Sequence, residues 1–101
     1  MQQIQNFNMT PTQIKANENS EIGQMLWRST KEHAITQLKA PATAKFAGDR
    51  YVILNGTGMV TGYVDAQNSF GAMIRNEIVA EFVKGKDDQW HMTDFAMDQP
   101  K

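Results

Sequence analysis

The sequence predicts an α+β fold in which one N-terminal helix packs on a four-stranded antiparallel meander sheet. Two observations support this prediction. In residues 19–39 apolar side chains recur at spacings of three and four, which is typical of a helix with one buried face. After Pro41 the apolar period changes to two, which is typical of strands with one packed and one exposed face. A helix lying across the apolar face of such a sheet is a common two-layer architecture.

The predicted helix has recognisable start and stop residues. Asn19 and Ser20 are good N-cap residues, and Thr10-Pro11 offers an alternative start because Pro is well tolerated at the first helical position. Pro41 is expected to end the helix, since the residue before a proline is pushed out of helical conformations. The predicted core-facing stripe consists of Trp27, Thr30, Ala34, Ile35 and Leu38.

Turn residues divide the rest of the chain into four strands, at 51–54, 58–65, 72–83 and 89–95. Asn55-Gly56 is a strong hairpin signal because both residues tolerate positive φ. Residues 85–88 form the expected turn before the last strand. In the third strand the even positions are apolar and the odd positions are charged, so the even positions are expected to face the core.

The length of 101 residues argues for one domain. Residues 1–18, rich in Gln and Asn near their start, are predicted to form a flexible or docked N-terminal arm. Residues 19–96 then form the single α+β domain, and residues 97–101 form a tail. An unpaired edge strand, either the Tyr51 segment or the arm, offers a route to a homodimer.

Composition excludes several kinds of chemistry. The chain has no cysteine, which rules out disulfides and thiolate chemistry. Its net charge of −1 argues against a nucleic-acid partner, because such proteins usually carry a basic footprint. The N-terminus lacks the features of a signal peptide, and no apolar run approaches the ~20 residues of a membrane span. A cytoplasmic location without membrane contact is therefore expected.

A polar turn between two apolar strands, in residues 64–75, is the main candidate site. In a structural interpretation, Asp65 and Asn68 bond the turn backbone, Gly71 supplies a positive φ, and Phe70 anchors the loop to the core. In a functional interpretation, the polar side chains meet a partner beside an exposed aromatic and methionine patch. The candidate partner-binding residues are Tyr63, Asp65, Gln67, Asn68, Met73 and Arg75.

The sequence offers no assembled catalytic or metal-binding set. His33 is expected on the helix surface and His91 on the exposed side of the last strand, and nothing in their spacing brings them together. Glu77 and Glu81 are expected to pair with Arg75 and Lys84 on a solvated sheet face. We therefore predict a protein that is not an enzyme and that uses no cofactor and no metal.

Two motifs resemble those of a small α+β domain found in uncharacterised bacterial and phage-associated proteins. They are Leu-Lys-Ala-Pro-Ala-Thr-Ala-Lys-Phe at residues 38–46 and Gly-Tyr-Val-Asp-Ala-Gln-Asn-Ser-Phe-Gly-Ala at residues 62–72. The resemblance covers residues 27–95 and implies a helix followed by a sheet, without implying an activity. Many of the resembling proteins are exported and carry two cysteines, whereas the corresponding regions here hold Trp27 and Ala80.

These observations favour a small non-enzymatic protein that binds a host or cognate protein. The specific hypothesis is a phage or mobile-element inhibitor of a bacterial defence system, of the anti-CRISPR kind. One alternative is an immunity protein that neutralises a toxin. Another is a small polar-ligand-binding domain or a rudimentary hydrolase, either of which requires Asp65, Asn68, Arg75 and Glu77 to converge in one concave site.

Overall fold

The structure, a computed structural model, describes residues 11–98, with side chains from Asn19 onward. Its elements are α1 (Pro11–Ile35), a short 3-10 helix (Pro41–Thr43), β1 (Lys45–Leu54), β2 (Thr57–Gln67), β3 (Met73–Lys84) and β4 (Trp90–Asp98). The strands form an antiparallel sheet in the order β1-β2-β3-β4, and α1 packs on one of its faces. The predicted fold class is confirmed.

The helix differs from the prediction at both ends. It begins at Pro11, the alternative start, and it ends at Ile35 rather than near Pro41. Turn-type hydrogen bonds from the backbone N–H groups of residues 36–38 to carbonyls three residues earlier carry the chain away from the helix. Pro41 instead opens the 3-10 helix, where its missing N–H is not needed.

Most of the predicted helical stripe faces the core. Trp27, Thr30 and Ala34 are buried, and the Thr30 hydroxyl donates to the Leu26 carbonyl at 2.7 Å. The prediction was wrong for Ile35, which is exposed at the last position of the helix, and it omitted Leu26, which is buried. Gly62 of β2 lets the helix approach the sheet closely, since an added Cβ would lie 2.5 Å from the Trp27 ring.

The sheet is longer than expected. β1 begins at Lys45, six residues before the predicted Tyr51, and the register shifts between Ala47 and Arg50 with Gly48 at φ +70°. Such a bulge interrupts the alternation of side chains, which explains why the pattern did not reveal the first half of β1. β4 continues to Asp98, so Met97 packs against the core instead of starting a tail. Residues 1–10 of the arm and residues 99–101 of the tail lie outside the described residues.

The predicted turns and faces are confirmed. Asn55 and Gly56 both have positive φ, at 53° and 75°, as the twist of a tight hairpin requires. The second turn is closed by the Gly85 N–H, which donates to the Gln89 carbonyl at 2.8 Å. The strand side chains buried against α1 are Val60, Val64, Ala66, Ile78, Ala80 and Phe82.

The opposite face of the sheet, called the outer face below, is turned away from α1. It carries alternating residues of all four strands. In the part of the chain that the structure describes, no helix or strand packs over it, and several of its apolar side chains are exposed: Val52, Leu54, Met59, Met73, Val79 and Val83. Among the same residues, no helix is long and apolar enough to span a membrane.

Candidate partner-binding site at the β2–β3 hairpin

The structure brings the candidate residues together at one end of the sheet. Tyr63, Asp65 and Gln67 alternate along β2 and lie on the outer face. On β3, Arg75 is the direct cross-strand partner of Asp65, and Met73 is the partner of Gln67. Their side chains share this face because residues two apart on a strand point the same way. Asn68 follows in the turn that joins the two strands.

A two-pronged ion pair fixes the base of the hairpin. The Arg75 guanidinium donates from Nε to Asp65 Oδ1 at 2.9 Å and from Nη2 to Asp65 Oδ2 at 3.1 Å. The hydrogen bond from Arg75 lowers the pKa of Asp65 below its ordinary 3.8, and the positive charges of Arg75 and Lys45 add to this effect. The same hydrogen bond raises the pKa of Arg75. Bidentate geometry of this kind orients the guanidinium plane.

Tyr63 completes this cluster. The guanidinium carbon of Arg75 lies 3.9 Å from the centre of the Tyr63 ring, a cation–π arrangement. The ring also packs on Gly48 in the bulge of β1, where an added Cβ would lie 2.5 Å from Tyr63 Cε2. Tyr63, Asp65 and Arg75, named below the Tyr63–Arg75–Asp65 cluster, are therefore held by contacts from three strands.

The turn itself is held by Asn68. Its Oδ1 accepts hydrogen bonds from the backbone N–H of Phe70 at 2.9 Å and of Ala72 at 3.1 Å. Its backbone N–H donates to the Ala72 carbonyl, and its carbonyl accepts from the Gly71 N–H. Gly71 has φ +83°, so the structural roles predicted for Asn68 and Gly71 are confirmed. The role predicted for Asp65 in the turn is wrong, because its carboxylate is engaged by Arg75.

Phe70 does not anchor the loop, contrary to the prediction. Its side chain is 92% exposed at the tip of the hairpin. The chain after α1 reaches only the base of this hairpin, where the Gln67 N–H donates to Thr43 Oγ1 at 2.9 Å. Because the backbone and Asn68 already close the turn, an apolar anchor is not needed there. Sequence reasoning missed Phe70 as a functional candidate. The signal that could have indicated its exposure is its position between Ser69 and Gly71, in a turn made of polar residues.

The polar residues of the hairpin line two separate grooves. Arg75 and Glu77 contribute with Arg50 and Tyr63 to an open groove of about 360 Å³ on the outer face. Asn68 lines a groove of about 300 Å³ on the helix side, beside Leu38 and Met97. The four residues required by the polar-ligand hypothesis are therefore not all in one groove.

The two histidine side chains lie apart from the hairpin. His33 is exposed on α1 and meets Phe95 edge-on, with ring centres 4.5 Å apart. His91 bonds Asp87 at 3.0 Å, and the pKa of Asp87 is lowered first by the Gln89 N–H and then by His91. Among the side chains that the structure describes, in residues 19–98, no three His, Cys, Asp or Glu side chains are grouped to hold a metal ion.

The ion pairs differ from those expected for β3. Arg75 pairs with Asp65, and Lys84 pairs with Asp88 at 2.9 Å. The predicted pairing of Glu77 and Glu81 with these two basic residues is therefore wrong. Local geometry explains it: Asp65 lies directly opposite Arg75, and Asp88 follows Lys84 in the adjoining turn.

Comparison of the chain with protein-family models, with curated proteins and with solved structures found no match. The resemblance through the two motifs thus remains a hypothesis based on the residues. The fold does bring those motifs into contact: Thr43 of the first accepts a hydrogen bond from Gln67 of the second.

Proposed function

We propose that this protein binds a protein partner through the tip of the β2–β3 hairpin and acts by occupying a surface of that partner, without catalysis. The observation that supports the proposal is Phe70, a large aromatic side chain that is 92% exposed on a turn fixed by Asn68. An aromatic ring in this position contributes no burial to the fold. Inserted into an apolar pocket of a partner, it supplies the buried anchor on which most interface energy depends.

The residues around Phe70 suit the same role. Met73 is 49% exposed, and Arg75 and Tyr63 are held below it in the Tyr63–Arg75–Asp65 cluster. Met, Arg and Tyr are enriched in protein interfaces relative to other surface residues. Because the cluster and the turn are already ordered, binding through them loses little conformational entropy. Gln67 adds an exposed amide at the edge of the patch.

Within this proposal, the partner belongs to a bacterial host, and the protein inhibits a defence system in the manner of anti-CRISPR proteins. An immunity protein that neutralises a toxin would use a surface of the same kind. Genome context distinguishes the inhibitor from the immunity protein, since the gene of an immunity protein is expected beside a gene for a larger toxin. The inhibitor hypothesis depends on the small size of the chain and on the phage-associated proteins that it resembles.

Affinity capture from a bacterial lysate tests the proposal. The bait is the full chain, and its variant is Phe70→Ser. The control is Met25→Ser, which removes a similarly apolar side chain that is 41% exposed on α1. We expect a protein that is retained by the parent chain and by the control but lost with Phe70→Ser. Equal retention by all three baits would contradict the proposal.

A further inference from the structure

The outer face is divided into a basic and an acidic side. Along β1 its charged residues are Lys45 and Arg50, whose cross-strand partners are Asp65 and Thr61 of the outer face. Arg75 of β3 is paired with Asp65 of β2, and the other Lys, Arg, Asp and Glu side chains of the outer face on β3 and β4 are all acidic: Glu77, Glu81, Asp94 and Asp98. Among the described residues, no ion pair includes any of these four carboxylates, and none includes Lys45 or Arg50.

The acidic side contains like charges in direct opposition. Glu81 is the cross-strand partner of Asp94, and Glu77 is the partner of Asp98. Like charges directly opposite each other in an antiparallel pair destabilise the sheet. A covering surface that brings positive charge to this side would relieve the repulsion.

An apolar strip lies along the same face. Val52 and Leu54 are each 65% exposed, and Met59, Val79 and Val83 are each exposed by about two fifths. Val52, Leu54 and Met59 line an open apolar depression of about 480 Å³ at the end of the sheet near the Asn55–Gly56 turn. Large exposed apolar patches of this kind mark interaction surfaces.

We propose that the surface covering the outer face is the outer face of a second copy of this chain, related by a two-fold axis parallel to the strands. This operation places β1 of one copy over β4 of the other, and β2 over β3. An isologous interface must be complementary to itself. A face that is basic along one edge and acidic along the other meets this condition, because the two edges exchange places.

The register makes the match specific. Arg50 pairs through Thr61 and Val79 with Ala96, so these four residues lie at one level across the sheet. Asp94 and Asp98 flank Ala96 on β4. The two-fold therefore sets Arg50 over Ala96 of the second copy, between two carboxylates that repel their own neighbours. At the centre of the contact, Thr61 of one copy lies over Val79 of the other copy, and Val79 lies over Thr61.

The size of the face fits a dimer. Four strands about 4.8 Å apart and about ten residues long, at about 3.3 Å per residue, cover roughly 600 Å². A standard interface takes about 800 Å² of accessible surface from each partner. Pairing through the β1 edge is less favourable, since its bulge at Gly48 breaks the regular backbone that a new strand would need. The contact covers Tyr63, Met73 and Arg75, whereas Phe70 projects from the turn beyond the paired strands and stays free for a partner in the dimer.

Sedimentation equilibrium of the full chain over a wide concentration range tests the dimer. We expect a mass that approaches twice the 11.4 kDa of one chain. Arg50→Glu and Asp94→Lys should each weaken the dimer by about tenfold or more, and combining them should recover much of the loss, since the opposite charges meet again. The control Lys86→Glu, in the exposed turn after β3, should leave the dimerisation constant unchanged, and so should Phe70→Ser.

Two results would overturn the dimer. One is a single-chain mass at every concentration; the other is a dimer whose dissociation constant is the same in Arg50→Glu and the parent chain, which indicates a different contact such as the β1 edge. Circular dichroism verifies that each variant is folded. Added salt gives a second readout without substitution, because screening should weaken the parent dimer. Since Phe70→Ser keeps the dimer, loss of a protein partner and loss of the dimer are distinguishable.

Discussion

The side-chain oxygen of Asn68 accepts a hydrogen bond from the backbone N–H of Phe70 at 2.9 Å. This bond belongs to the turn in which the most exposed large apolar side chain of the described residues is presented. The same oxygen also accepts from Ala72, so one amide organises the whole tip of the hairpin. Asn68 thus links the local chemistry of the turn to the proposed partner site.

Replacing Asn68 by Ala should loosen this turn. The change removes an acceptor of two backbone hydrogen bonds, and each such bond contributes about 1 kcal/mol. We expect the free energy of unfolding to fall by about 1–2 kcal/mol. Amide hydrogen exchange at Phe70 and Ala72 should accelerate. Ser69→Ala, at the exposed neighbouring position, is the control; an equal change in exchange for both variants would contradict the role of Asn68.

Removing Phe70 should leave the stability unchanged. Because its ring is 92% exposed, Phe70→Ser is expected to alter the free energy of unfolding by no more than about 0.5 kcal/mol. Phe82→Ala, at a ring that is 3% exposed, should cost about 3–5 kcal/mol. Urea unfolding of both variants measures the contrast. A large loss for Phe70→Ser would mean that the ring serves the fold.

Gly62 should not tolerate a side chain. In Gly62→Ala the new Cβ would lie 2.5 Å from the Trp27 ring, so either the helix or the indole must move. We expect a loss of about 1–3 kcal/mol in urea unfolding. The double variant with Trp27→Phe should lose less than the sum of the two single changes, since the smaller ring leaves room for the methyl group. Additive losses would contradict the close approach.

We expect the stability of the folded chain to depend on pH through the Asp65–Arg75 ion pair. The pKa of Asp65 is lowered in the folded chain, so the unfolded chain binds the proton more readily. The stabilisation is therefore present above the ordinary value of 3.8 and is lost as the pH falls through the lower folded value. Asp65→Asn should lower the Tm at neutral pH and have no effect in strong acid.

The matched control for this test is Glu32→Gln on the exposed side of α1, a carboxylate outside the described ion pairs. Glu32→Gln should change the Tm by the same small amount at neutral and at acid pH. If the difference between Asp65→Asn and the parent chain were the same at neutral and acid pH, the ion pair would not be the source of the stability.

The fold was predictable because its signals are local. The Asn55–Gly56 turn and the alternation in β3 each depend on residues a few positions apart. The first half of β1 was not predictable, since its bulge at Gly48 is defined by contact with Tyr63 on another strand. The helix end at Ile35 likewise results from where the chain must turn towards β1.

The candidate site was predicted in part. The spacing along β2 and β3 places Tyr63, Asp65 and Arg75 on one face, but no pattern reveals that Asp65 and Arg75 are direct cross-strand partners, because that depends on the register. The sequence predicts that Phe70 anchors the loop to the core, since an aromatic residue is usually buried. In the structure Phe70 is exposed at the tip of the hairpin, and the chain after α1 contacts the base through Thr43, an arrangement that depends on tertiary packing.

Site-specific photocrosslinking tests whether a protein partner contacts the tip of the β2–β3 hairpin. A benzophenone amino acid is placed at position 70 of the full chain and, as a control, at position 86 in the exposed turn after β3. Both proteins are irradiated in living bacteria. We expect a discrete crosslinked product from position 70 that is absent from position 86 and disappears when excess parent chain competes. Equal crosslinking from both positions, or none from position 70, would contradict partner binding through the tip of the hairpin.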